Sequence, residues 1–296
     1  SGQPGNNDAD IFIRGVSSWN GSKPLVLVDG VERSFADLDP NEVASISVLK
    51  DASATAVFGA KGANGVIIVI SRTGRTGKPR MNVSLSYGLD FPTKIPNHIS
   101  SAQTASLLNV ALKNVQSYGS LIPRSEIDEY ARPSSRLNTI RYPDNDWFDI
   151  VLRNCAQTVN ANYNVSGGSE RVKYFLSLGY THEGSIFRDF SEWDHANFRY
   201  DRINYRSNLD FDVTKSTKLS VKVGGVLGIR DKPTGASVSG LFNMMYSASP
   251  MMYPAYFPAW VLDEIPDKDY PDATGDRISS SRTAYFKNVQ ATLSTG

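Results

Sequence analysis

A period-two alternation constrains the fold of this 296-residue chain more than any other sequence feature. Apolar side chains recur at every second position in segments that polar connections separate. This period places apolar residues on one face of a β-strand and polar residues on the other. The six alternating segments span residues 81–89, 159–166, 172–180, 204–213, 219–230 and 289–293. The chain from residue 81 onward is therefore predicted to form antiparallel sheet.

The lengths of the segments and of their connections favour a membrane barrel over a soluble sandwich, which also alternates. Most segments have about ten residues, as a tilted membrane strand needs, whereas globular strands usually have about five or six. Short turns at 167–170 and 214–218 alternate with long links at 90–158, 182–203 and 231–288. This arrangement is typical of outer-membrane barrels, whose short turns face the periplasm.

The stretch from residue 25 to residue 74 has a different, α/β character. Apolar runs bounded by turn residues predict strands, and Asp followed by Pro or Ala predicts capped helix starts. The predicted elements are strands at 25–28, 43–49 and 66–70, a tight turn at Asp29-Gly30, a helix after Asp39 with Glu42 in the capping-box position, and a helix at 52–58 after Asp51.

The glycine-rich segment GAKGANG, Gly59–Gly65, invites comparison with a phosphate-binding loop. Two features argue against that interpretation. No Gly-Lys-Ser/Thr follows at the required spacing, and the loop leads into a strand rather than a helix. Glycines that permit a tight bend with positive φ explain the segment better.

Several stretches resemble one known family. In the first part of the chain they are IRG (Ile13–Gly15), LVLVDGV (Leu25–Val31) and LKDASATAVFGAKGANGVIIVISRTG (Leu49–Gly74). In the second part they are NDWFDIVL (Asn145–Leu152), VSGGSERVKYFLSLGYTHEGSIF (Val165–Phe187) and YRSNLDFDVTK (Tyr205–Lys215). These sequences resemble the plug domain and first barrel strands of SusC/RagA-like TonB-dependent outer-membrane transporters.

The resemblance implies a membrane β-barrel, partial here with about six antiparallel strands, preceded by a small α/β plug domain. We expect the plug at residues 1–74, a linker at 75–80, and the N-terminal part of the barrel with its long extracellular loops at 81–296. Six strands cannot close a barrel, and hydrocarbon does not tolerate an open sheet edge. We therefore expect further strands after Gly296, and the signal sequence, the TonB box and the first part of the plug before Ser1.

The resemblance also implies a function. Similar proteins take up oligosaccharides or peptides through the outer membrane of Gram-negative bacteria, together with a SusD-like surface lipoprotein and the TonB complex. The plug gates the barrel lumen, so the chemistry is binding and gating, with no enzyme activity and no cofactor. The alternatives are a TonB-linked surface binding protein or adhesin without transport, and a soluble β-rich enzyme or lectin. The net charge of +1 gives no reason to expect a nucleic-acid partner.

Charged residues alternate with the apolar ones in the later strands. In the barrel they are expected to face inward, toward the plug and lumen water, and we hypothesise that they pair with the plug. These residues are Arg206, Asp210, Asp212, Lys222 and Arg230. The alternative is a solvated sheet face with no specific partner.

The loops contain the candidate substrate contacts. We assign a substrate-binding role, from aromatic and amide character alone, to Trp19, Asn20, Trp147, Tyr253 and Trp260. The segment 241–260 is also rich in methionine, proline and tyrosine. Such a cluster is typical of a contact surface for a partner or substrate, but it is equally explained by packing within the loop itself. In the first long loop, Ala105, Leu108 and Val115 lie on one side of a predicted helix that Ser101 or Thr104 caps.

No catalytic or metal-binding arrangement is apparent in the sequence. The three histidines, His98, His182 and His195, are far apart and are expected in solvated loops. Cys155 is the only cysteine, so it cannot form an internal disulfide. The paired carboxylates Asp144 and Asp146 are expected to be solvated.

Overall fold

The computed structural model describes residues 3–5, 11, 13, 23–50, 56–188, 198–233, 237–251, 253–257, 260 and 277–278. The chain divides into two compact units. The plug–sheet unit comprises Ser1–Leu89, Gln157–Gly184 and Arg199–Arg230. The loop unit comprises Asp90–Ala156, Ser185–Phe198 and Asp231–Gly296. Each unit is described in turn.

The plug contains a four-stranded sheet in the order β2-β1-β4-β3. Its strands are β1 (Leu25–Val28), β2 (Val31–Glu32), β3 (Val43–Leu49) and β4 (Val66–Ser71). β1 runs parallel to β4, while β2 and β3 are antiparallel to their neighbours. The buried side chains of Val28, Ile67 and Val69 form the centre of its small apolar core. The predicted strands are therefore confirmed.

Two short 3-10 helices complete the described part of the plug. The first, Pro40–Glu42, begins after Asp39, whose carboxylate accepts a hydrogen bond from the amide of Asn41. The second, Ala56–Gly62, replaces the predicted helix at 52–58 within the described residues, and Gly59 interrupts it with a φ of 60°. Residues 51–55, where that helix was predicted to start, lie outside the described residues. The positive φ of Gly59 agrees with the tight-bend interpretation of the glycine-rich segment.

Five long strands form a second sheet in the consecutive order β5-β6-β7-β8-β9. They are β5 (Gly77–Asp90), β6 (Ala156–Gly168), β7 (Val172–Glu183), β8 (Arg199–Asp212) and β9 (Lys218–Asp231). Each has 12 to 14 residues, somewhat more than the alternation predicts. β5 includes residues 77–80, which were expected in a linker. The sixth predicted segment, 289–293, lies outside the described residues.

The connections of this sheet differ in length as predicted. Short turns join β6 to β7 and β8 to β9, closed by backbone hydrogen bonds from Ser169 to Val172 (2.7 Å) and from Val213 to Thr217 (2.9 Å). Residues 91–155 join β5 to β6, and residues 184–198 join β7 to β8. None of the described helices is long and apolar enough to span a membrane.

Within its described residues, the loop unit contains five α-helices, of which the last two contribute to a core of aromatic and aliphatic side chains. They are α1 (Ser101–Asn114), α2 (Arg124–Ala131), α3 (Asn138–Arg141), α4 (Trp147–Val151) and α5 (Val238–Ser247). Its described residues also pair as two short strands, β10 (Tyr256–Phe257) and β11 (Arg277–Ile278). The cap of α1 is Ser100, which forms a capping box with Gln103, and not Ser101 or Thr104 as predicted. Within α1, Ala105 is buried while Leu108 and Val115 are exposed, so only part of the predicted stripe packs inward.

Candidate functional site

The interface between the plug and the five-stranded sheet contains the densest set of buried polar contacts in the plug–sheet unit. We call the sheet face that contacts the plug the inner face, and the opposite face the outer face. The plug segments that contact the inner face include the turn at Asp29, the segment from Ala36 to Glu42, and the end of β4 at Ser71. Asp29 and Gly30 have positive φ values of 51° and 88°, which this tight turn requires.

Asp29 is bound from both sides of the interface. Its Oδ2 accepts a hydrogen bond from Ser71 Oγ at 2.6 Å, and its Oδ1 accepts from the Ser71 amide at 3.1 Å. Lys222 of β9 donates to Oδ1 at 2.9 Å. Burial alone raises the pKa of Asp29, but hydrogen bonds from Ser71 and Lys222 outweigh it and hold the pKa below its ordinary value. This carboxylate is therefore charged at neutral pH.

Arg206 of β8 links the same turn to Glu42. Its Nε donates to Glu42 Oε2 at 2.6 Å, and its Nη1 lies 3.4 Å from Asp29 Oδ2. Both Arg206 and Glu42 are buried. Burial raises the pKa of Glu42, and the Arg206 guanidinium offsets only part of that effect. Glu42 Oε1 has no hydrogen-bond partner among the described residues.

Asparagine amides supply most of the remaining contacts between sheet and plug. Three buried asparagines on the inner face of β6 and β8 donate to plug oxygens, while the amide of a fourth, Asn164, donates to Asn162 Oδ1 within the sheet at 2.9 Å. The contacts are Asn162 to Asp39 Oδ2 (2.8 Å), Asn204 to the Asp37 carbonyl (2.8 Å), and Asn208 to Ser71 Oγ (2.8 Å) and the Arg72 carbonyl (2.7 Å). The alternation of the strands places these asparagines on the polar face, but alternation does not identify their partners in the plug.

The five charges predicted to face inward divide into two groups. Arg206 and Lys222 pair with the plug, and Arg230 donates to the plug carbonyl of Gly5. Asp210 and Asp212 pair within the sheet instead, where Ser220 Oγ donates to Asp210 (2.6 Å) and Lys173 Nζ to Asp212 (3.1 Å). The hypothesis of plug pairing is thus correct for the three cations, and wrong for the two acids.

The outer face carries the apolar rows, and they are exposed. Leu85 is 75% exposed and Leu178 is 54% exposed, although both belong to long, regular strands. A soluble sandwich buries such rows against a second sheet. Among the described residues no other sheet pairs with or covers this face. Polar residues inside and apolar residues outside are the arrangement of a membrane barrel wall.

The loop residues proposed as substrate contacts occupy different environments. Trp147 is only 3% exposed and lies in the core of the loop unit, where its indole donates to the Ser249 carbonyl at 3.2 Å. Tyr253 is partly buried beside it, with ring centroids 5.6 Å apart. Trp260 lies under the guanidinium of Arg136, at 4.0 Å. Trp19 and Asn20 lie outside the described residues.

The methionine-rich segment packs inward over its described part. Met245 is 3% exposed in the core of the loop unit, and Met244 packs against that core. The aromatic partners of this core include Phe187 and Phe198, whose ring centroids are 5.4 Å apart. Internal packing therefore explains these two methionines, while Met252 lies outside the described residues.

The described residues contain no group of histidine, cysteine and carboxylate side chains that could hold a metal ion. His182 lies in β7 rather than in a loop, and its Nδ1 contacts Asp201 at 2.8 Å. Asp144 is exposed, as expected, but both loop carboxylates also have structural roles. Asp144 accepts from the Ser101 amide (2.7 Å), and Asp146 caps α4.

Comparison with known proteins agrees with this geometry. Residues 1–66 match the TonB-dependent receptor plug domain family. The chain is 30% identical to TonB-dependent receptor P26 of Formosa agariphila, over 75% of the chain and 21% of the relative. It is 28% identical to TonB-dependent receptor SusC of Bacteroides thetaiotaomicron, over 77% of the chain and 23% of the relative.

A solved structure of the RagAB peptide transporter matches 79% of this chain and 28% of the solved chain, with a TM-score of 0.58 and 25% identity. The chain belongs to the SusC/RagA-like TonB-dependent receptors. Within this family, its plug and five-stranded sheet correspond to the plug and part of the barrel wall. The chain spans about a fifth of the length of the curated relatives that it matches.

Proposed function

We propose that this SusC/RagA-like receptor imports oligosaccharides or peptides through the outer membrane, in a TonB-dependent manner and with a SusD-like lipoprotein as partner. The single observation that best supports this function is the polar interface between plug and inner face. Hydrogen bonds and ion pairs, unlike apolar packing, can be exchanged for contacts with water at modest net cost. A plug held in this way can leave the inner face when force is applied and return afterwards.

The partner and the cargo rest on further support. RagAB is named as a peptide transporter, and SusC as a TonB-dependent receptor. In the loop unit, α1 exposes Leu107, Val110 and Val115, an apolar surface of the kind that protein partners cover. We place the lipoprotein there. Cargo contact by Trp19, Asn20, Tyr253 and Trp260 remains a prediction. Trp147 is the weakest of the five candidates, because its side chain is buried.

Disulfide locking of the plug tests the import function. Ser71 and Asn208 contact each other across the interface, with Oγ and Nδ2 at 2.8 Å. In a Cys155→Ser background of the whole protein, Ser71→Cys with Asn208→Cys should form a disulfide that ties the plug to β8. Energy-dependent uptake of labelled oligosaccharide or peptide mixtures by whole cells should then stop, and a reductant should restore it.

Two controls separate locking from damage. Each single cysteine variant loses the same hydrogen bond without forming the bridge. The pair Ser47→Cys with Ile68→Cys, which are opposite each other in β3 and β4, ties the plug only to itself. Uptake that continues in the oxidised locked protein argues against gating by this plug. Cargo binding without any energy-dependent uptake by the wild type supports the alternative, a surface binding protein or adhesin.

A further inference from the structure

A cavity of about 870 Å³ lies between the plug and the inner face of β5, β6 and β7, near the short-turn end. Plug residues, the segment after β4 and three strands all contribute to its lining. The cations that line it are Arg72, Arg75, Lys78 and Arg80, and none of the described lining residues is acidic. We call this space the basic cavity.

The alternation of β5 directs two of these cations into the cavity. Lys78 and Arg80 have the parity of the inner face, whereas Met81 and Val83 have the parity of the exposed outer face. The geometry of the strand, and not the flexibility of a linker, therefore places these charges. The side chain of Arg72 is also positioned, because its Nε donates to the Val43 carbonyl at 3.1 Å.

The segment between β4 and β5 is fixed to the sheet at two points. A side chain at Gly74 would collide with the backbone of Tyr174 and of Gly167, so this residue lies directly against β6 and β7. Thr76 Oγ1 donates to the Ser169 carbonyl at 3.4 Å. Arg75, which lies between them, is thus held at the edge of the basic cavity.

No described carboxylate neutralises these cations. The acids of the nearby inner face are paired elsewhere: Asp212 with Lys173 and Lys218, and Glu42 with Arg206. Among the described residues, Arg75, Lys78 and Arg80 form no ion pair. The basic cavity therefore has a net positive charge that its own protein walls do not balance.

A second cavity, of about 360 Å³, lies along β5, β6 and β7 and also borders β8, and its lining has a different charge. Its β5 lining is Ser84 and Ser86 instead of Lys78 and Arg80. Its one carboxylate, Asp39, is balanced by the single cation Arg202. Of the two cavities, the one near the short-turn end therefore has the more positive lining, which favours anions there.

We propose that the basic cavity binds oxyanion groups of the imported cargo, so that the cargo is acidic and carries carboxylates, sulfates or phosphates. Guanidinium and ammonium groups recognise these oxyanions by charge-assisted hydrogen bonds. Asn164 and Ser166 line the same space and add neutral donors, and the Phe175 ring supplies an apolar wall. This inference rests on the proposed import function, because it assigns a chemical class to the molecules that pass the plug.

Binding to the whole protein in detergent tests the inference. The probes are a short oligogalacturonate and a malto-oligosaccharide of equal length, measured by isothermal titration calorimetry at low salt. The test variant combines Arg75→Gln, Lys78→Gln and Arg80→Gln. The control variant combines Lys113→Gln, Arg132→Gln and Arg141→Gln, three exposed loop-unit cations with the same total change in charge.

The wild type and the control variant should bind the acidic probe at least about tenfold more tightly than the neutral one. The test variant should lose about tenfold in affinity for the acidic probe, as expected from removing three partly exposed charge contacts. High salt should weaken acidic binding in the wild type, because exposed charges are screened. The variant that keeps the charges, Arg75→Lys with Arg80→Lys, should bind as the wild type does, which attributes the loss of affinity in the test variant to the missing charges.

Equal affinity of the wild type and the test variant overturns the inference, as does equal affinity for both probes. Competition with inorganic sulfate distinguishes a site for a free inorganic oxyanion from a site for an oxyanion group of the cargo. Displacement of the probe by sulfate at equal concentration contradicts a cargo site, whereas competition only at large excess supports it. The proposed import function is judged separately. Uptake of neutral cargo by the test variant supports that function even if the oxyanion site is rejected.

Discussion

The plug–sheet interface and the core of the loop unit are both buried, but the interface consists of polar and charged side chains and the core of apolar ones. The interface is made of asparagine amides, carboxylates and cations, such as Asn208, Asp29 and Arg206. The loop-unit core is made of aromatic and aliphatic side chains, such as Phe187 and Leu241. The difference leads us to expect that the plug–sheet interface separates more readily than the loop-unit core.

The energetics of the two regions explain the difference. Each buried apolar side chain of the core stabilises the loop unit by about 1.5–3 kcal/mol, and separation would return that surface to water. A hydrogen bond between neutral groups contributes about 1 kcal/mol net, and one to a charged group about 1.5–3 kcal/mol, because water replaces the lost partner. The plug can therefore leave the inner face at lower cost than its contact area suggests. The loop unit is expected to move as one body.

The largest predicted effect belongs to the loop-unit core. Phe187→Ala removes a fully buried ring that contacts Phe198 and Phe242. The loop unit should lose about 4 kcal/mol of stability, as is common for a buried aromatic cut to alanine. Hydrogen exchange of the α4 and α5 amides should increase, while exchange in β4 of the plug stays as in the wild type. Equal loosening of both units would contradict their independence.

Arg206→Ala should produce the largest effect at the plug. It leaves Glu42 buried without its only described partner, and breaking a buried ion pair in this way costs about 3 kcal/mol. Hydrogen exchange of the β4 amides should increase, and loop-unit exchange should not change. Unchanged β4 protection would reject the role of Arg206 in holding the plug.

Arg202→Ala is the matched control for that variant. Arg202 lies on the same face of β8, but its described contact is a hydrogen bond to the Ala36 carbonyl at 2.9 Å. Only a neutral acceptor loses its donor, so the expected loss is about 1 kcal/mol. If Arg202→Ala lost as much stability as Arg206→Ala, the negative charge of Glu42 would not explain the importance of Arg206.

The sequence predicts the strands and their two faces well because alternation is a local property. The exposed row of Leu176 and Leu178 and the inward parity of Arg206 both follow from it. Partners across the interface depend on how two distant segments meet. Glu42 illustrates the limit: its position predicts a capping-box contact, but its carboxylate binds Arg206, 164 residues away.

The loops are predicted least well, for a physical reason. Composition alone does not distinguish an aromatic residue that packs inside a loop from an exposed one that binds a ligand. Trp147 and Met245 are residue types that are common at contact surfaces, yet both pack in the loop-unit core. The capping role of Asp146 follows from its position before α4, a signal that the sequence does contain.

The smallest predicted effect is the pH dependence of the plug contact, in which two carboxylates act in opposite directions. Asp29, surrounded by Ser71, Lys222 and Arg206, has a pKa below its ordinary value of 3.8. Its stabilisation is complete above that value and is lost as the pH falls through the lowered pKa. The pKa of Glu42 is raised above 4.5, so its buried charge is unfavourable at neutral pH and is relieved on protonation.

Protection of the β4 amides, corrected for intrinsic exchange, should therefore hold or rise between pH 7 and about 4.5, and should fall only below the ordinary value of 3.8. Asp29→Asn should remove the fall at low pH, and Glu42→Gln should remove any rise. The charges that face Glu42 are Arg206, Asp39 and Arg33. Protection that decreases steadily from neutral pH would mean that the attraction between Arg206 and Glu42 exceeds the effect of burial. The plug would then be held chiefly by that charge pair. One contact, and not a network of polar contacts, would set the plug–sheet interface apart from the apolar loop-unit core.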